Sequence, residues 1–173
     1  MESHKYGCKY RKVNCPDLFC YEKIIFTEVM KHMEKHHKFQ KIEKYSEKTR
    51  KQDLDITTDG FYFSHWPWMM VEPILLRFGE KNFFSFVYHD DKIKMWKFFT
   101  YMIGSRKEAA GFKSVISISD QKLENIQSTL KVSSIDVPKE NVLKNSDLNI
   151  PDQRIYKLLK NGPIRYSVKI MKA

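Results

Sequence analysis

The chain has 173 residues, a formal net charge of +10, 42% hydrophobic residues and 14% aromatic residues. That length supports one medium domain plus a small module, with enough apolar mass for a packed core. No apolar run reaches the roughly 18–20 residues that a membrane span needs, and the polar start Met1-Glu2-Ser3-His4-Lys5 lacks a signal-peptide core.

The first element is a run of metal-type ligands: His4, Cys8, Cys15, Cys20, His32 and the pair His36-His37. All three cysteines and four of the six histidines lie in these first 37 residues. The last of them fit Cys-x4-Cys-x11-His-x3-4-His, which places two thiols in a turn and two imidazoles on a following helix. A closed tetrahedral zinc site is built from such a donor set, and its role is structural because no coordination position stays open. Cys15, Cys20 and His32 are thus expected zinc ligands, with the fourth either His36 or His37. Helix geometry puts His36 one turn after His32. His4 and Cys8 form an orphan half-site, since two ligands cannot close a tetrahedron. With an odd cysteine count and a metal site more natural than a disulfide, a reducing compartment is expected, cytoplasm or nucleus.

Downstream, Tyr21 to Phe26 can pair as a short hairpin arm. Thr27 is the predicted N-cap of a helix from Glu28 to His37, with acid in its first turn and base in its last. Val29, Met30 and Met33 give that helix an apolar side, expected to pack on the finger itself. Residues 41–59 are polar and read as a linker between a finger region at 1–40 and a β domain at 60–173. The β domain contains apolar runs at Trp68–Phe78, Asn82–Tyr88 and Ile93–Ile103, with a turn cluster at His89-Asp90-Asp91-Lys92. Close runs joined by short turns favour antiparallel pairing. Ser105 and Glu108 have capping-box spacing, so a short helix should start at Ser105. Strands are expected at Phe112–Ile118, Leu130–Val137 and Ile164–Met171. A helix is expected over 152–160, stopped by Asn161-Gly162. Many strands with few helices make an antiparallel two-sheet β-sandwich the expected fold class.

Catalysis finds little to work with. His65 follows Ser64 and His89 precedes Asp90, but the sequence reveals no third group joining either pair, and Ser64 lies outside any Gly-x-Ser-x-Gly context. No phosphate loop or dinucleotide fingerprint is present. Pro67 cannot donate to a strand ladder, which favours an edge position for the segment holding Trp66, Trp68 and Met69.

Several phrases together resemble the seven-in-absentia family of RING-type ubiquitin ligases. They are Ile103-Gly104-Ser105-Arg106-Lys107-Glu108-Ala109 followed by Phe112, Asn145-Ser146-Asp147, and Ile155 to Leu159 running through Asn161-Gly162 to Ile170. His4-x3-Cys8-x6-Cys15 is similar to the join between that family's paired zinc fingers. The resemblance implies a TRAF-like substrate-binding sandwich behind a SIAH-type finger region whose first finger is truncated. It favours the x4 spacing, hence His37 over His36. It makes Trp66, Trp68 and Met69 a wall of a groove for extended peptides of protein substrates. It also implies ubiquitin-dependent degradation as the pathway, and a homodimer or a heterodimer with a RING-bearing relative. No RING ligand set is seen, so the expectation is a substrate adaptor or competitor without ubiquitin transfer of its own. The alternative class is a zinc-finger nucleic-acid binder, suggested by the charge. The finger helix argues against it, because its start Thr27-Glu28-Val29-Met30 is acidic and then apolar, not base-reading.

Overall fold

The computed structural model describes residues 8–42, 53–58, 72–120, 124–162 and 164–173. The chain opens with a hairpin of β1 (Lys12–Asn14) and β2 (Lys23–Ile25), in which Val13 faces Ile24. Both of these residues point inward, while Lys12, Asn14, Lys23 and Ile25 face outward. A 3-10 turn at Phe26–Glu28 leads into helix α1 (Val29–His36). Thr27 lies inside that turn, and Glu28 occupies the N-cap position of α1 with no side-chain cap. The expected Thr27 cap is therefore absent, because the 3-10 turn supplies the helix entry.

The rest of the chain is mainly β. The strands are β3 (Gln40–Ile42), β4 (Asp53–Thr58), β5 (Ile74–Phe78), β6 (Lys81–Asp90), β7 (Met95–Met102), β8 (Phe112–Ser119), β9 (Asn125–Ser134), β10 (Leu148–Pro151) and β11 (Arg165–Lys172). They join in the order β3-β5-β6-β7-β9-β8-β11-β4, with β10 beside β7. Most neighbours are antiparallel, but β3 with β5 and β7 with β9 are parallel. β7 divides one edge between two partners: Met95–Phe98 pair with β10 and Thr100–Met102 with β9. β9 in turn pairs with β8 through Asn125–Lys131 before it crosses to β7. The sheet thus folds back on itself and is nearly closed. Two strands, β3 and β4, fall in or overlap the stretch read as a linker. The alternation Asp53-Leu54-Asp55-Ile56 carries the strand period there, diluted by the charged residues before it.

Among the described residues three further short helices follow: α2 (Arg106–Ala109), α3 (Lys139–Lys144) and α4 (Asp152–Leu159). α2 starts at the expected capping box, where Glu108 N–H donates to Ser105 Oγ at 3.3 Å and Ser105 N–H donates to Glu108 Oε2 at 2.9 Å. Lys81 also donates to this carboxylate. These bonds, the Lys81 ammonium first, hold the Glu108 pKa down at about 2.

The inner face of the folded sheet encloses one core, with Ile74, Leu76, Phe83, Phe98 and Met102 on one side and Ile116, Leu130, Tyr166 and Val168 on the other. Within it the hydroxyls of Ser85 and Tyr166 meet at 2.8 Å, so a buried polar pair bridges the two halves of the sheet. The outer face of β5–β7 is equally covered. There Leu75, Phe84, Phe86, Phe99 and Tyr101 pack with Val13, Cys15, Ile24, Val29 and Met33 of the finger and Val142 of α3. Phe86 and Phe99 stack at 5.5 Å. The apolar side of α1 therefore meets the sheet, not only its own hairpin as expected. Burial on both faces explains why β6 and β7 read as continuous apolar runs instead of alternating.

A charged clamp crosses the same boundary. Arg11 donates Nε to Asp136 Oδ1 at 2.9 Å and Nη2 to Oδ2 at 3.2 Å, with side chains only 11% and 4% exposed. The guanidinium also lies 3.9 Å from the Phe26 ring centroid. Removing one partner of such a pair strands a buried charge. Arg11→Met and Asp136→Leu should each destabilise the fold by about 3–5 kcal/mol, with the double variant losing less than the sum. Urea unfolding of the three variants checks this.

Candidate metal centre

Cys15 follows β1 directly and Cys20 precedes β2, so the hairpin connection carries both thiols. Cys15 N–H donates to Glu22 O at 3.0 Å, extending the ladder, and Cys20 N–H closes on Asp17 O at 3.4 Å. His32 sits on the buried side of α1. His37 follows the helix in extended conformation at φ −128° and ψ 143°, which swings its ring back toward the thiols.

These four residues meet. One donor atom from each of Cys15, Cys20, His32 and His37 lies within 4.8 Å of the others, and the group could hold a metal ion. Cys15 Sγ is 3.4 Å from His37 Nε2, Cys20 Sγ is 3.5 Å from His32 Nε2, and the two Nε2 atoms are 3.0 Å apart. A tetrahedral ion with bonds of about 2.3 Å to sulfur and about 2.0–2.1 Å to nitrogen has S···N edges of roughly 3.6 Å and an N···N edge of roughly 3.4 Å. The donor set therefore fits around one ion with small adjustments. His36, by contrast, ends α1 with an exposed side chain and contributes its ring only as a neighbour of His32, 4.9 Å away. His32 and His36 share the helix one turn apart, but the ring that reaches the thiols is that of His37, which lies just past the helix end in extended conformation.

A carboxylate stands near Nδ1 of each ring, just beyond hydrogen-bond distance. Asp17 Oδ2 lies 3.6 Å from His37 Nδ1, and Glu22 Oε2 lies 3.6 Å from His32 Nδ1. A carboxylate on Nδ1 favours the tautomer that presents a bare Nε2 to a metal and makes the ring a stronger ligand. Burial, with His37 beside it, lowers the His32 pKa and keeps that imidazole neutral. Burial pushes the Cys15 thiol up to about 12. Without an ion the thiol stays protonated, and binding must expel its proton.

Lys139, 7% exposed at the start of α3, reaches across from the sheet domain. Its ammonium donates to the carbonyls of Asp17 and Cys20, inside the loop that carries the thiols. It lies 5.3 Å from the Tyr21 ring centroid. Lys139, Asp136, Asp17 and Glu22 were not singled out from the sequence. Asp17 and Glu22 each stand two residues after a ligand cysteine, a local signal that could have found them. Lys139 and Asp136 lie 119–125 residues from their partners and leave no such signal.

The other residues expected at sites fare differently. Cys8 is half-buried and its carbonyl accepts from Arg11 Nη1 at 3.0 Å, while His4 lies outside the described residues. Trp66, Trp68, Met69 and His65 also lie outside them. His89 is not in a turn: β6 runs through Asp90, and the turn sits at 91–94, where Lys94 takes φ 53°. His89 Nε2 pairs with Asp152 Oδ1 at 2.9 Å and its ring packs 4.8 Å from Trp96, tying β6 to the start of α4. Searches with this sequence match no family model and no curated protein.

Two outcomes follow for the isolated chain. Metal affinity, read by competition with a chromophoric chelator, should rise with pH by about tenfold per unit for each thiol proton expelled. The Cys15 thiol is protonated throughout the range below about 12, so the rise continues across neutral pH. Cobalt(II) titration should give a tetrahedral spectrum at one equivalent, abolished in Cys20→Ala and His37→Ala and retained in His36→Ala.

Proposed function

We propose that this chain is a protein-recognition module of the seven-in-absentia kind, a TRAF-like β-sandwich braced by one structural zinc ion and working in ubiquitin-dependent degradation. Zinc is the ion that the S2N2 donor set suits best, since two thiols and two imidazoles at tetrahedral spacing favour it over oxygen-seeking cations. A closed set leaves no place for substrate, so the ion shapes the module and does no chemistry.

The observation that carries the reading is the joint between finger and sheet. The segment Gly104-Ser105-Arg106-Lys107-Glu108, one of the phrases that resembles the family, sits at that joint. Ser134 Oγ donates to Gly104 O at 2.7 Å and accepts from Asp136 N–H at 3.0 Å, and Asp136 clamps Arg11. Arg106 Nη2 reaches Asp136 O at 3.4 Å. A Cβ at Gly104 would lie 2.8 Å from Met102 Cε, so any side chain there would require the Met102 methyl to shift. The other two phrases are likewise structural junctions: Ser146 Oγ donates to Phe98 O at 3.0 Å at the entry to β10, and Gly162, at φ 116°, ends the turn after α4. Such residues are what a shared fold would keep.

In this reading the partners are short extended segments of protein substrates, bound beside Trp66, Trp68 and Met69, with a homodimer or a RING-bearing relative completing a ligase. The chain works in the cytoplasm or nucleus. The three cysteines within these 173 residues are too few for a RING among them. Panning a peptide library against the zinc-loaded chain should select extended peptides that lose affinity in Trp68→Ala. A library that yields none would sink the recognition reading. Robust autoubiquitination by the purified chain with charged conjugating enzyme would sink the adaptor assignment.

A further inference from the structure

The outward face of the finger hairpin has an unusual surface. Four of the six exposed large hydrophobic residues among the described ones fall between residues 10 and 25: Tyr10, Phe19, Tyr21 and Ile25. Tyr10 and Tyr21 are the most exposed of all, at 79% and 83%. Their concentration in one small module marks a patch and not scattered surface residues. Within the strands Lys12, Lys23 and Ile25 face outward and Val13 and Ile24 inward, while Tyr10 lies in the turn before β1 and Tyr21 just before β2, both exposed. The register sets Tyr10 beyond one end of the hairpin and Tyr21 beyond the other, on the order of 15–20 Å apart.

Charge on this face is of one sign. Lys9, Lys12 and Lys23 are exposed and have no ion-pair partner among the described residues. The two carboxylates of the hairpin connection lie on the side of the histidines, Asp17 3.6 Å from His37 Nδ1 and the more exposed Glu22 3.6 Å from His32 Nδ1. Tyr21 has the Lys139 ammonium 5.3 Å from its ring centroid while most of its surface stays open.

We propose that this hairpin face binds single-stranded nucleic acid, with Tyr10 and Tyr21 stacking on separate bases and Lys9, Lys12 and Lys23 contacting the phosphates between them. Rings that are free and spaced along a cationic strip suit unpaired bases, each of which offers a face for stacking. A duplex keeps its bases stacked on one another and gives these rings nothing to take up. The patch holds three aromatic rings, Tyr10, Phe19 and Tyr21, and one aliphatic residue, Ile25, and the exposed lysines beside them favour a polyanion as the partner. The surface lies on the strands of the finger and not on α1, whose solvent side mixes Lys31 and Lys35 with Glu28 and Glu34. It is separate from the peptide-binding reading above and does not depend on it.

Fluorescence anisotropy of the full zinc-loaded chain with a labelled oligouridylate, oligothymidylate and mixed-sequence duplex tests this. Single strands should bind more tightly than duplex, and more weakly as salt rises. The ratio of oligouridylate to oligothymidylate affinity tells RNA from DNA. The variant Tyr10→Ala with Tyr21→Ala should lose about tenfold or more, as removal of two stacking rings implies. Lys12→Glu with Lys23→Glu should lose at least as much. Lys113→Glu, an exposed charge change on β8, should leave binding unaltered. An unchanged cobalt spectrum in the tyrosine variant shows the finger intact. Equal affinity for duplex, an undiminished tyrosine variant, or an equal loss in Lys113→Glu would each overturn the proposal.

Discussion

The fold depends on the burial of β5, β6 and β7 on both faces. Leu76, Phe83 and Phe98 face one core, and Leu75, Phe84, Phe86 and Phe99 face another. A sheet with apolar side chains on both sides needs a cover on each. The inner face covers itself because β9 crosses from one half of the sheet to the other and closes it. The outer face cannot do so. Its cover is the finger, a module with a hairpin of three-residue strands and an eight-residue helix, too little to hold a shape by its own core. Cys15, Cys20, His32 and His37, from the hairpin connection, the helix and the residue after it, could hold an ion that would supply the cross-link such a module lacks.

That dependence runs in both directions. The thiol loop is held from the sheet side by Lys139, whose ammonium bonds the carbonyls of Asp17 and Cys20. The hairpin is held by Arg11 on Asp136, and the Asp136 loop is held by Ser134 against Gly104. Buried ion pairs of this kind are weak sources of net stability, since desolvation offsets most of their attraction. Their value here is registration. The apolar contacts of Phe86 with Phe99 and of Met33 with its neighbours would tolerate a small slide. A bidentate guanidinium on a carboxylate does not. The same lysine brings a positive charge beside a centre with two thiols and two carboxylates, so the ligand group is not a bare concentration of negative charge.

What could be read from the sequence was local. The ligand spacing, the capping box at Ser105, the helix stop at Asn161-Gly162 and the mainly β composition are each set within a few residues. The capping box appears with both of its reciprocal bonds. The features that escaped are those decided at long range. Parallel pairing of β7 with β9 depends on where β9 leaves β8, and nothing inside Thr100–Met102 announces it. α3 was missed because Lys139–Lys144 is a six-residue helix with two buried positions, too short for a clear period. The Thr27 cap was read from a propensity rule that a 3-10 entry overrides. The continuous apolar runs of β6 and β7 carried the signal of two-sided burial, but nothing local tells which element lies on the second face.

The choice of His37 over His36 shows how local and long-range constraints meet in the centre. His36, the last residue of α1, falls one turn after His32 but stays exposed. The helix ends there, and His37 N–H still bonds Met33 O at 3.0 Å as its backbone turns extended, which is what swings its ring to the thiols. Met33 is fully buried against the sheet, so the point where the helix stops is fixed by the same packing that seats the finger. Asp17, on the loop held by Lys139, then receives the His37 ring at Nδ1. The ligand geometry is thus completed by the sheet domain as much as by the ligand-bearing segment. A finger detached from that surface would keep the spacing of its cysteines and histidines but lose the contacts that select which histidine turns inward.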